Sequence, residues 1–268
     1  MSTTAPLAGR HALVTGAGGG IGAAIALALA GNGANVTLAG RRREPLDTVA
    51  ATLPPGQAFV ADGFDVTDAD AISSGLARAN AAFGTVSILI NNAGEAPSAP
   101  FHRTTRDLWQ QTVTTNLTSV FLVTQAALPQ LREHGQGTHG DGARIINVAS
   151  TAGLTGYAYV SAYTAAKHGV VGLTRALALE LARTGITVNA VCPGYTDTAL
   201  VARSVDIITG KSGRSRDEAL AEFTRSNPQG RLVQPQEVAD AVRWLAGPGA
   251  SSINGQAIVV AGGEVMAG

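Results

Sequence analysis

The chain has 268 residues, of which 45% are hydrophobic and only 14% are charged, a composition typical of a compact globular domain and not of a disordered chain. Its 19 basic residues balance 19 acidic ones, so it lacks the positive field that nucleic-acid binders and proteins of anionic membrane surfaces use, and we expect neither partner. The single cysteine, Cys192, excludes an internal disulfide and favours a cytoplasmic location.

Apolar strands alternate with helices along the chain. We predict strands at residues 11–15, 35–39, 57–61, 86–90, 144–149, 186–191 and 256–260. We predict helices at residues 22–32, 45–53, 104–131, 160–183 and 235–246. Strands that are apolar on both faces belong to a parallel sheet covered by helices, so the pattern predicts an α/β fold with seven parallel strands in one domain, residues 1–268.

The regular alternation lapses at residues 196–230, where helical and polar stretches mix. A segment of this kind beside the carboxyl edge of a sheet is a candidate substrate lid. Its basic residues are interspersed with acidic ones, so we interpret its surface as ordinary solvated surface and not as an anion site.

A glycine-rich turn, residues 15–22, joins the first strand to the first helix. Its glycines follow the spacing Gly-x-x-x-Gly-x-Gly, which differs from the Gly-x-Gly-x-x-Gly fingerprint. Such a turn brings backbone amides at the amino end of a helix close to a pyrophosphate, although a tight turn in a glycine-rich protein is the simpler alternative. The predicted phosphate contacts are Gly16, Gly18, Gly19, Gly20, Ile21 and Gly22.

The end of the second strand bears on the choice of dinucleotide. Gly40 stands where a carboxylate would accept hydrogen bonds from the adenine ribose, and three arginines, residues 41–43, follow it. Cations before a helix that begins at residue 44 or 45 oppose its dipole, so an anion should compensate them. The 2′-phosphate of NADP is the natural candidate, with Arg41 as its partner; a solvated arginine cluster is the alternative. We therefore favour NADP(H) over NAD(H).

Tyr163 and Lys167 lie four residues apart in the helix predicted at 160–183, and therefore on one face. A phenol has a reference pKa of about 10, and lowering it by about three units requires about 4 kcal/mol. One ammonium about 4 Å away supplies about that much at an effective dielectric of about 20. We therefore expect Lys167 to lower the pKa of Tyr163 so that the phenol can act in proton transfer.

Two further polar residues are candidates for the same site. Ser150 closes the preceding strand at the carboxyl edge of the sheet, where its hydroxyl could hold a substrate oxygen or simply cap a turn. Asn116 lies inside an apolar helical pattern, where a buried amide needs hydrogen-bond partners. The five histidines show no metal-ligand spacing, so we predict no metal site.

Taken together, these features resemble the short-chain dehydrogenase/reductase family, in its branch of about 250-residue single-domain members. The resemblance covers nearly the whole chain. The residues that carry it, in the family's order, are Thr15, Gly16, Gly20 and Gly22, Asp65 and Val66, Asn91 to Gly94, Asn116, Ser150, Tyr163, Lys167, and Pro193 with Gly194.

The resemblance implies a Rossmann-type doubly wound sheet with helices on both faces, and hydride transfer between NAD(P) and a ketone or secondary alcohol. It implies that Tyr163 is the general acid/base and that Lys167 lowers its pKa and binds the nicotinamide ribose. Ser150 would orient the carbonyl, and Asn116 would hold a water in a proton relay. The remaining implied cofactor contacts are Asp65, Val66, Asn92, Ala93, Gly94, Pro193, Gly194, Thr196 and Thr198.

The family usually forms dimers or tetramers through the helices that carry Asn116 and Tyr163 and through the last strand, so we expect a homo-oligomer, with a homotetramer as one form. One departure bears on the tetramer contact. The family often has Asp-Gly-Gly after the last strand, whereas this chain has Ala261-Gly262-Gly263.

The expected substrate is a small carbonyl compound or alcohol in a mainly apolar pocket. The residues placed there by position are Ser150, Ala152, Leu154, Tyr157 and Tyr195. By resemblance, the sequence around residues 227–231 is similar to members that act on 3-oxoacyl or 3-hydroxy acid substrates, and cyclic or aryl ketones and alcohols are the alternative class. A non-catalytic dinucleotide-binding sensor or scaffold is the alternative function.

Overall fold

A parallel sheet forms the centre of the fold. The computed structural model describes residues 5–135 and 142–266, and within them seven strands pair in the order β3-β2-β1-β4-β5-β6-β7, every pair parallel. The strands are β1 His11–Thr15, β2 Asn35–Ala39, β3 Ala58–Ala61, β4 Ile88–Asn91, β5 Arg144–Val148, β6 Thr187–Pro193 and β7 Ala257–Val260. The strand order reverses between β1 and β4, which is where ligands bind in folds of this type.

Helices cover both faces of the sheet. They are α1 Gly20–Ala30, α2 Arg43–Ala50, α3 Ala69–Phe83, α4 Arg106–Val113, α5 Ser119–Gly135, α6 Ser161–Leu181, α7 Ala199–Ser212, α8 Arg216–Thr224 and α9 Pro235–Ala246. The doubly wound Rossmann-type fold predicted from the sequence is confirmed. In the described part of the chain, no helix combines the length and the hydropathy needed to cross a membrane.

Two apolar layers, one on each face of the sheet, form most of the core. Successive side chains of a strand point to opposite faces, so Ala12 and Val14 of β1 pack in the layer under α1 and α9, whereas Leu13 packs with α3, α5 and α6. Every residue of β1, β4, β5 and β6 is buried. This explains the continuous apolar runs in the sequence and holds the carboxyl ends of these strands in fixed positions.

The predicted helix at 104–131 is not continuous. A π-helical stretch, Thr114–Thr118, separates α4 from α5 and has the fully buried Asn116 at its centre. The side-chain amide of Asn116 donates to the backbone oxygens of Glu95 and Thr112, both at 2.9 Å. Single-turn π-bulges of this kind often mark functional sites in helices.

Helix α3 was not assigned from the sequence. It begins at the side chain of Asp68, which accepts hydrogen bonds from the backbone N–H groups of Asp70 and Ala71. Its interior Gly75 lies against the ring of Phe64, so that a Cβ at this position would lie 2.2 Å from a ring carbon. Gly75 therefore lets α3 pack closely against Phe64, in the loop that follows β3.

Candidate active site

A cleft of about 1000 Å³ runs along the carboxyl edge of the sheet, where β1, β4, β5 and β6 end. The structure brings most of the predicted site residues to this cleft. Its lining includes Gly16, Gly18, Gly19, Gly20, Ile21, Gly22, Arg41, Asn92, Ala93, Gly94, Asn116, Ser150, Ala152, Tyr157, Tyr163, Lys167, Pro193, Gly194, Tyr195, Thr196 and Thr198.

Three predicted site residues lie outside this cleft. Val66 lines a neighbouring cavity of about 620 Å³, which also contacts Arg41. Asp65 lines neither cavity. Its carboxylate accepts hydrogen bonds from the side chain and the backbone of Thr67, which hold its pKa below its usual range. Leu154, which was expected in the substrate pocket, instead packs into an apolar cluster behind Ser150, so that expectation is corrected.

The glycine turn forms an open amide cradle. Helix α1 begins at Gly20 without a side-chain cap and without an acidic residue in its first turn, so its first N–H groups face the cleft. Gly16 and Gly20 have φ angles of +65° and +53°, which favour glycine. A Cβ at Gly22 would lie 2.3 Å from the carbonyl oxygen of Gly16. An uncapped helix terminus beside a turn too tight for side chains fits the pyrophosphate of a dinucleotide.

The three arginines after β2 have different surroundings. Helix α2 begins at Arg43, earlier than predicted, and the Arg43 guanidinium pairs with Asp47 at 3.2 Å. Arg41 and Arg42 are exposed and line the cleft, and Pro45 packs against Gly18 of the glycine turn. The structure therefore holds two cations beside the phosphate cradle, and Arg43 is neutralised by its own helix.

Tyr163 and Lys167 occupy successive turns at the start of α6. Lys167 is 4% exposed. Its ammonium donates to the carbonyl oxygen of Val148 at 2.9 Å and lies 5.7 Å from the centre of the Tyr163 ring. Burial lowers the pKa of Lys167 to about 8. The two side chains thus face the same part of the cleft, as their spacing predicts.

The pKa of Tyr163 shifts in the direction opposite to the sequence prediction. Burial raises the pKa of Tyr163, because it removes water from the phenolate, and a hydrogen bond with Ser150 only partly opposes this rise. The pKa of the neighbouring Lys167 is itself lowered by burial. Burial of the phenol, which cannot be read from the spacing of the two residues, is the largest cause of the shift in the pKa of Tyr163.

Ser150 both caps a turn and faces the cleft. Its hydroxyl oxygen accepts a hydrogen bond from the N–H of Ala152 at 3.1 Å, and the same side chain contacts Tyr163. The two readings that the sequence left open are therefore compatible. The local hydrogen bond fixes the rotamer that directs the hydroxyl towards the phenol.

The side chain of Asn116 is fully occupied by backbone groups. Besides its two donated bonds, its Oδ1 accepts from the N–H of Glu95 at 3.2 Å. A Cβ on Gly94 would lie 2.7 Å from this oxygen and 3.7 Å from the Lys167 amine, so both groups approach Gly94 closely. In this arrangement Asn116 holds the loop after β4 beside Lys167.

Thr196 and Thr198 lie in the segment that joins β6 to α7. The Thr196 hydroxyl donates to the Gly194 oxygen at 2.9 Å, and the Thr198 hydroxyl donates to the Thr196 oxygen at 3.3 Å. The methyl group of Thr198 lies 3.2 Å from where a Cβ on Gly20 would be. The segment leading into α7 therefore closes over the glycine turn.

Aromatic rings form one wall of the cleft at the part where the sequence predicts the substrate, which we call the substrate end. Tyr157 packs edge-on against Tyr195 with ring centres 6.0 Å apart, and Tyr195 packs edge-on against Phe223 of α8 with ring centres 5.0 Å apart. Sequence analysis missed Phe223 and the group that holds Tyr157 in place, Glu264. The Tyr157 hydroxyl lies 2.8 Å from Oε1 of Glu264.

Known proteins are similar to this chain over nearly their whole length. A family model described as "short chain dehydrogenase" matches residues 10–207. The chain is 44% identical over 254 residues to "Granaticin polyketide synthase putative ketoacyl reductase 1" of Streptomyces violaceoruber, covering 94% of this chain and 92% of that protein. It is 38% identical over 261 residues to D-beta-hydroxybutyrate dehydrogenase of Cupriavidus necator, covering 97% of this chain and 99% of that protein.

A solved structure agrees with these relatives. Actinorhodin polyketide ketoreductase, in a crystal structure with NADPH, superimposes with a TM-score of 0.87 at 41% sequence identity, covering 95% of this chain and 97% of that one.

Proposed function

The chain belongs to the short-chain dehydrogenase/reductase family and is a nicotinamide-dependent oxidoreductase acting on CH–OH groups, and we propose that it works as a ketoreductase that prefers NADPH. One observation carries the proposal. The phenol of Tyr163, hydrogen-bonded to Ser150 and one turn from Lys167, lies in the same cleft as the uncapped amino end of α1. This arrangement suits proton transfer to a substrate oxygen beside a bound dinucleotide.

In the reducing direction, Tyr163 acts as the proton donor. When bound, a nicotinamide supplies the hydride for a substrate carbonyl. The Ser150 hydroxyl donates a hydrogen bond to that carbonyl oxygen, and the neutral phenol of Tyr163 donates its proton to the oxygen as negative charge develops there. A pKa raised by burial keeps this proton on Tyr163 at neutral pH. The Lys167 ammonium then stabilises the phenolate.

The cofactor preference follows from charge at the end of β2. Gly40 offers no carboxylate to an adenine ribose, and the guanidinium groups of Arg41 and Arg42 line the cleft beside it. A 2′-phosphate provides the negative charge that these cations lack, whereas the hydroxyl of NAD does not. NADPH in the crystal structure of actinorhodin polyketide ketoreductase is consistent with this preference.

The proposed substrates are 3-oxoacyl compounds or the corresponding 3-hydroxy acids, as the names of the relatives suggest. The aromatic wall and the apolar side chains of Leu200 and Ile207 at the cleft also suit cyclic or aryl ketones, which are the second candidate class. None of the relatives described above supports a non-catalytic sensor.

We also propose that α7 and α8, within residues 196–230, act as a substrate lid, and that the protein is a cytoplasmic homo-oligomer. Leu179 on α6 is 83% exposed and Phe121 on α5 is 45% exposed, and apolar side chains at these positions support self-association. Light scattering after size-exclusion chromatography gives the subunit number, and a monomer at all concentrations would contradict this part.

A panel of carbonyl compounds and alcohols, each assayed with NADPH or NADP and with NADH or NAD, tests the function. We expect oxidation of NADPH with 3-oxoacyl thioesters or cyclic ketones. A protein inert towards every carbonyl and alcohol would overturn the proposed activity. Strong preference for NADH would leave the activity standing and overturn the argument from Arg41.

A further inference from the structure

One carboxylate oxygen of Glu264 accepts hydrogen bonds from two separate segments at the substrate end of the cleft. Its Oε1 accepts a hydrogen bond from the Tyr157 hydroxyl at 2.8 Å and another from the Ser226 hydroxyl at 2.8 Å. Tyr157 belongs to the loop between β5 and α6, and Ser226 follows α8 at the end of the proposed lid. The segment after β7 thus connects the wall of the substrate pocket to the lid.

The other carboxylate oxygen packs against the end of β6. Oε2 lies 2.8 Å from where a Cβ on Gly194 would be, so the carboxylate fills the space beside a glycine of the cleft lining. The preceding Gly262 and Gly263 have φ angles of +61° and +94°. A Cβ at Gly262 would lie 2.1 Å from Oδ1 of the buried Asn227, so the two glycines let this segment pass closely over the lid's end.

The directions of the hydrogen bonds form a chain. A carboxylate can only accept, so the single Tyr157 proton is donated to Glu264. The Tyr157 oxygen then accepts from the Thr151 hydroxyl, 2.8 Å away. Thr151 follows Ser150 directly in the chain. The chain Thr151 to Tyr157 to Glu264 therefore connects the C-terminal segment with the residue next to the serine that faces the substrate.

We propose that Glu264 is a positioning residue that determines substrate specificity: by fixing the Tyr157 phenol and the lid through Ser226, it sets the width of the substrate pocket. This proposal rests on the proposed ketoreductase activity. Hydrogen bonds to an ionised acceptor are stronger than neutral ones and limit the rotation of the phenol. Small ketones, which need the wall in place, should depend on Glu264 more than bulky ones, which fill a widened pocket.

Glu264→Ala and Glu264→Gln test this directly. We expect Glu264→Ala to raise KM for a small aliphatic 3-oxoester by about tenfold with little change in kcat, and to change KM for a bicyclic aryl ketone much less. Glu264→Gln should shift this ratio less than Glu264→Ala, because the amide oxygen still accepts from both hydroxyls but without the charge that strengthens these bonds. The matched control is Glu222→Ala, which removes a lid carboxylate paired with Arg214 and leaves the Tyr157 contact intact.

Tyr157→Phe completes a double-mutant cycle and stays informative if Glu264→Ala does not fold. It should shift the ratio of kcat/KM between the small and the bulky ketone in the same direction, and the double variant should shift this ratio no further than Glu264→Ala alone. Independent effects that add, or an unchanged KM ratio in Glu264→Ala, would overturn the proposal. Wild-type activity and NADPH affinity, measured first, show separately whether the ketoreductase function fails.

Discussion

The two ends of the cleft recognise their ligands with different parts of the chain. The dinucleotide end is formed mainly by backbone. The side-chain amide of Asn92 donates to the carbonyl oxygens of Thr15 and Gly16 at 2.9 and 3.2 Å and so holds this backbone in place, and Gly22 leaves no room for a Cβ. The substrate end is formed by side chains of α7, α8 and the loop of Tyr157. A rigid backbone suits a constant cofactor, whereas side chains can differ among members without disturbing the sheet.

The two ends also differ in packing. The glycine turn rests on the large apolar layer under α1 and α9. The lid packs around a small separate cluster whose buried members are Val201, Val205 and Ala219, and it leaves Ile207 57% exposed. Because local stability follows buried apolar contacts, the substrate end should open at a lower free energy than the cofactor end.

The largest expected effect is on kcat and comes from Tyr163, which lies where the cofactor end and the substrate end of the cleft meet. Tyr163→Phe should lower kcat by about 10²- to 10⁴-fold, because the ring stays in place and the proton donor is lost. NADPH affinity, measured by fluorescence titration, should remain near the wild-type value. Tyr159→Phe is the control, since no lysine follows Tyr159 by one turn and Tyr159 is 66% exposed, and this variant should keep its turnover. Wild-type turnover in Tyr163→Phe would remove the proposed proton donor.

One added methyl group in the glycine turn should disrupt the close packing of the cofactor end. Gly22→Ala should destabilise the fold by about 3 kcal/mol, at the upper end for overpacking, because its Cβ meets backbone that cannot move aside. Gly19→Ala is the matched control, since a Cβ there meets nothing within 4 Å. Urea unfolding measures both variants. Equal stability of the two would contradict the close packing of this turn.

Cofactor choice gives a smaller effect at the same end. Arg41→Ala should weaken NADPH binding by about 10- to 100-fold and leave NADH binding unchanged, because only the 2′-phosphate loses its partner. Arg43→Ala should have little effect, since Arg43 is paired with Asp47. Titration with both dinucleotides decides the matter, and equal losses for the two would show that Arg41 acts through the fold.

The smallest effect concerns the far end of the lid. Glu237 of α9 pairs with Arg231, and the hydrogen bonds from that side chain lower the pKa of Glu237 from 4.5 to about 2. Because the folded pKa is depressed, this stabilisation is present above pH 4.5 and is lost as the pH falls towards 2. The pair is exposed to solvent, so its contribution to the free energy of unfolding is small.

Hydrogen exchange at the start of α9, followed across this pH range, measures the loss. Glu237→Gln is the control and should remove the pH dependence. An equal pH dependence in this variant would mean that another group titrates.

The sheet could be predicted from the sequence because its strands are apolar on both faces. The common face of Tyr163 and Lys167 could be predicted because the two residues are only four positions apart in one helix. Contacts between distant residues could not be predicted. Glu264 lies 107 residues from Tyr157 and 38 from Ser226 along the chain, and no pattern in the sequence connects them. Leu154 was misplaced because the direction of a loop side chain depends on tertiary packing.

The direction of the Tyr163 pKa shift could not be predicted from the sequence either, because the burial that raises the pKa of this phenol depends on tertiary packing. The π-helical stretch at Asn116 is an intermediate case. The sequence indicated a buried amide that needs partners, but not that the helix opens to provide them.

In the proposed function Lys167 binds the nicotinamide ribose, so its buried amine should couple cofactor binding to the pH of the solution. With a pKa of about 8, a substantial fraction of these amines has lost its proton in mildly alkaline buffer, whereas nearly all carry it at pH 6. A ligand that hydrogen-bonds to the ammonium draws a proton from the buffer in the first case and none in the second. Calorimetric binding enthalpies should therefore vary with the ionisation heat of the buffer near pH 8 and lose that variation under acidic conditions.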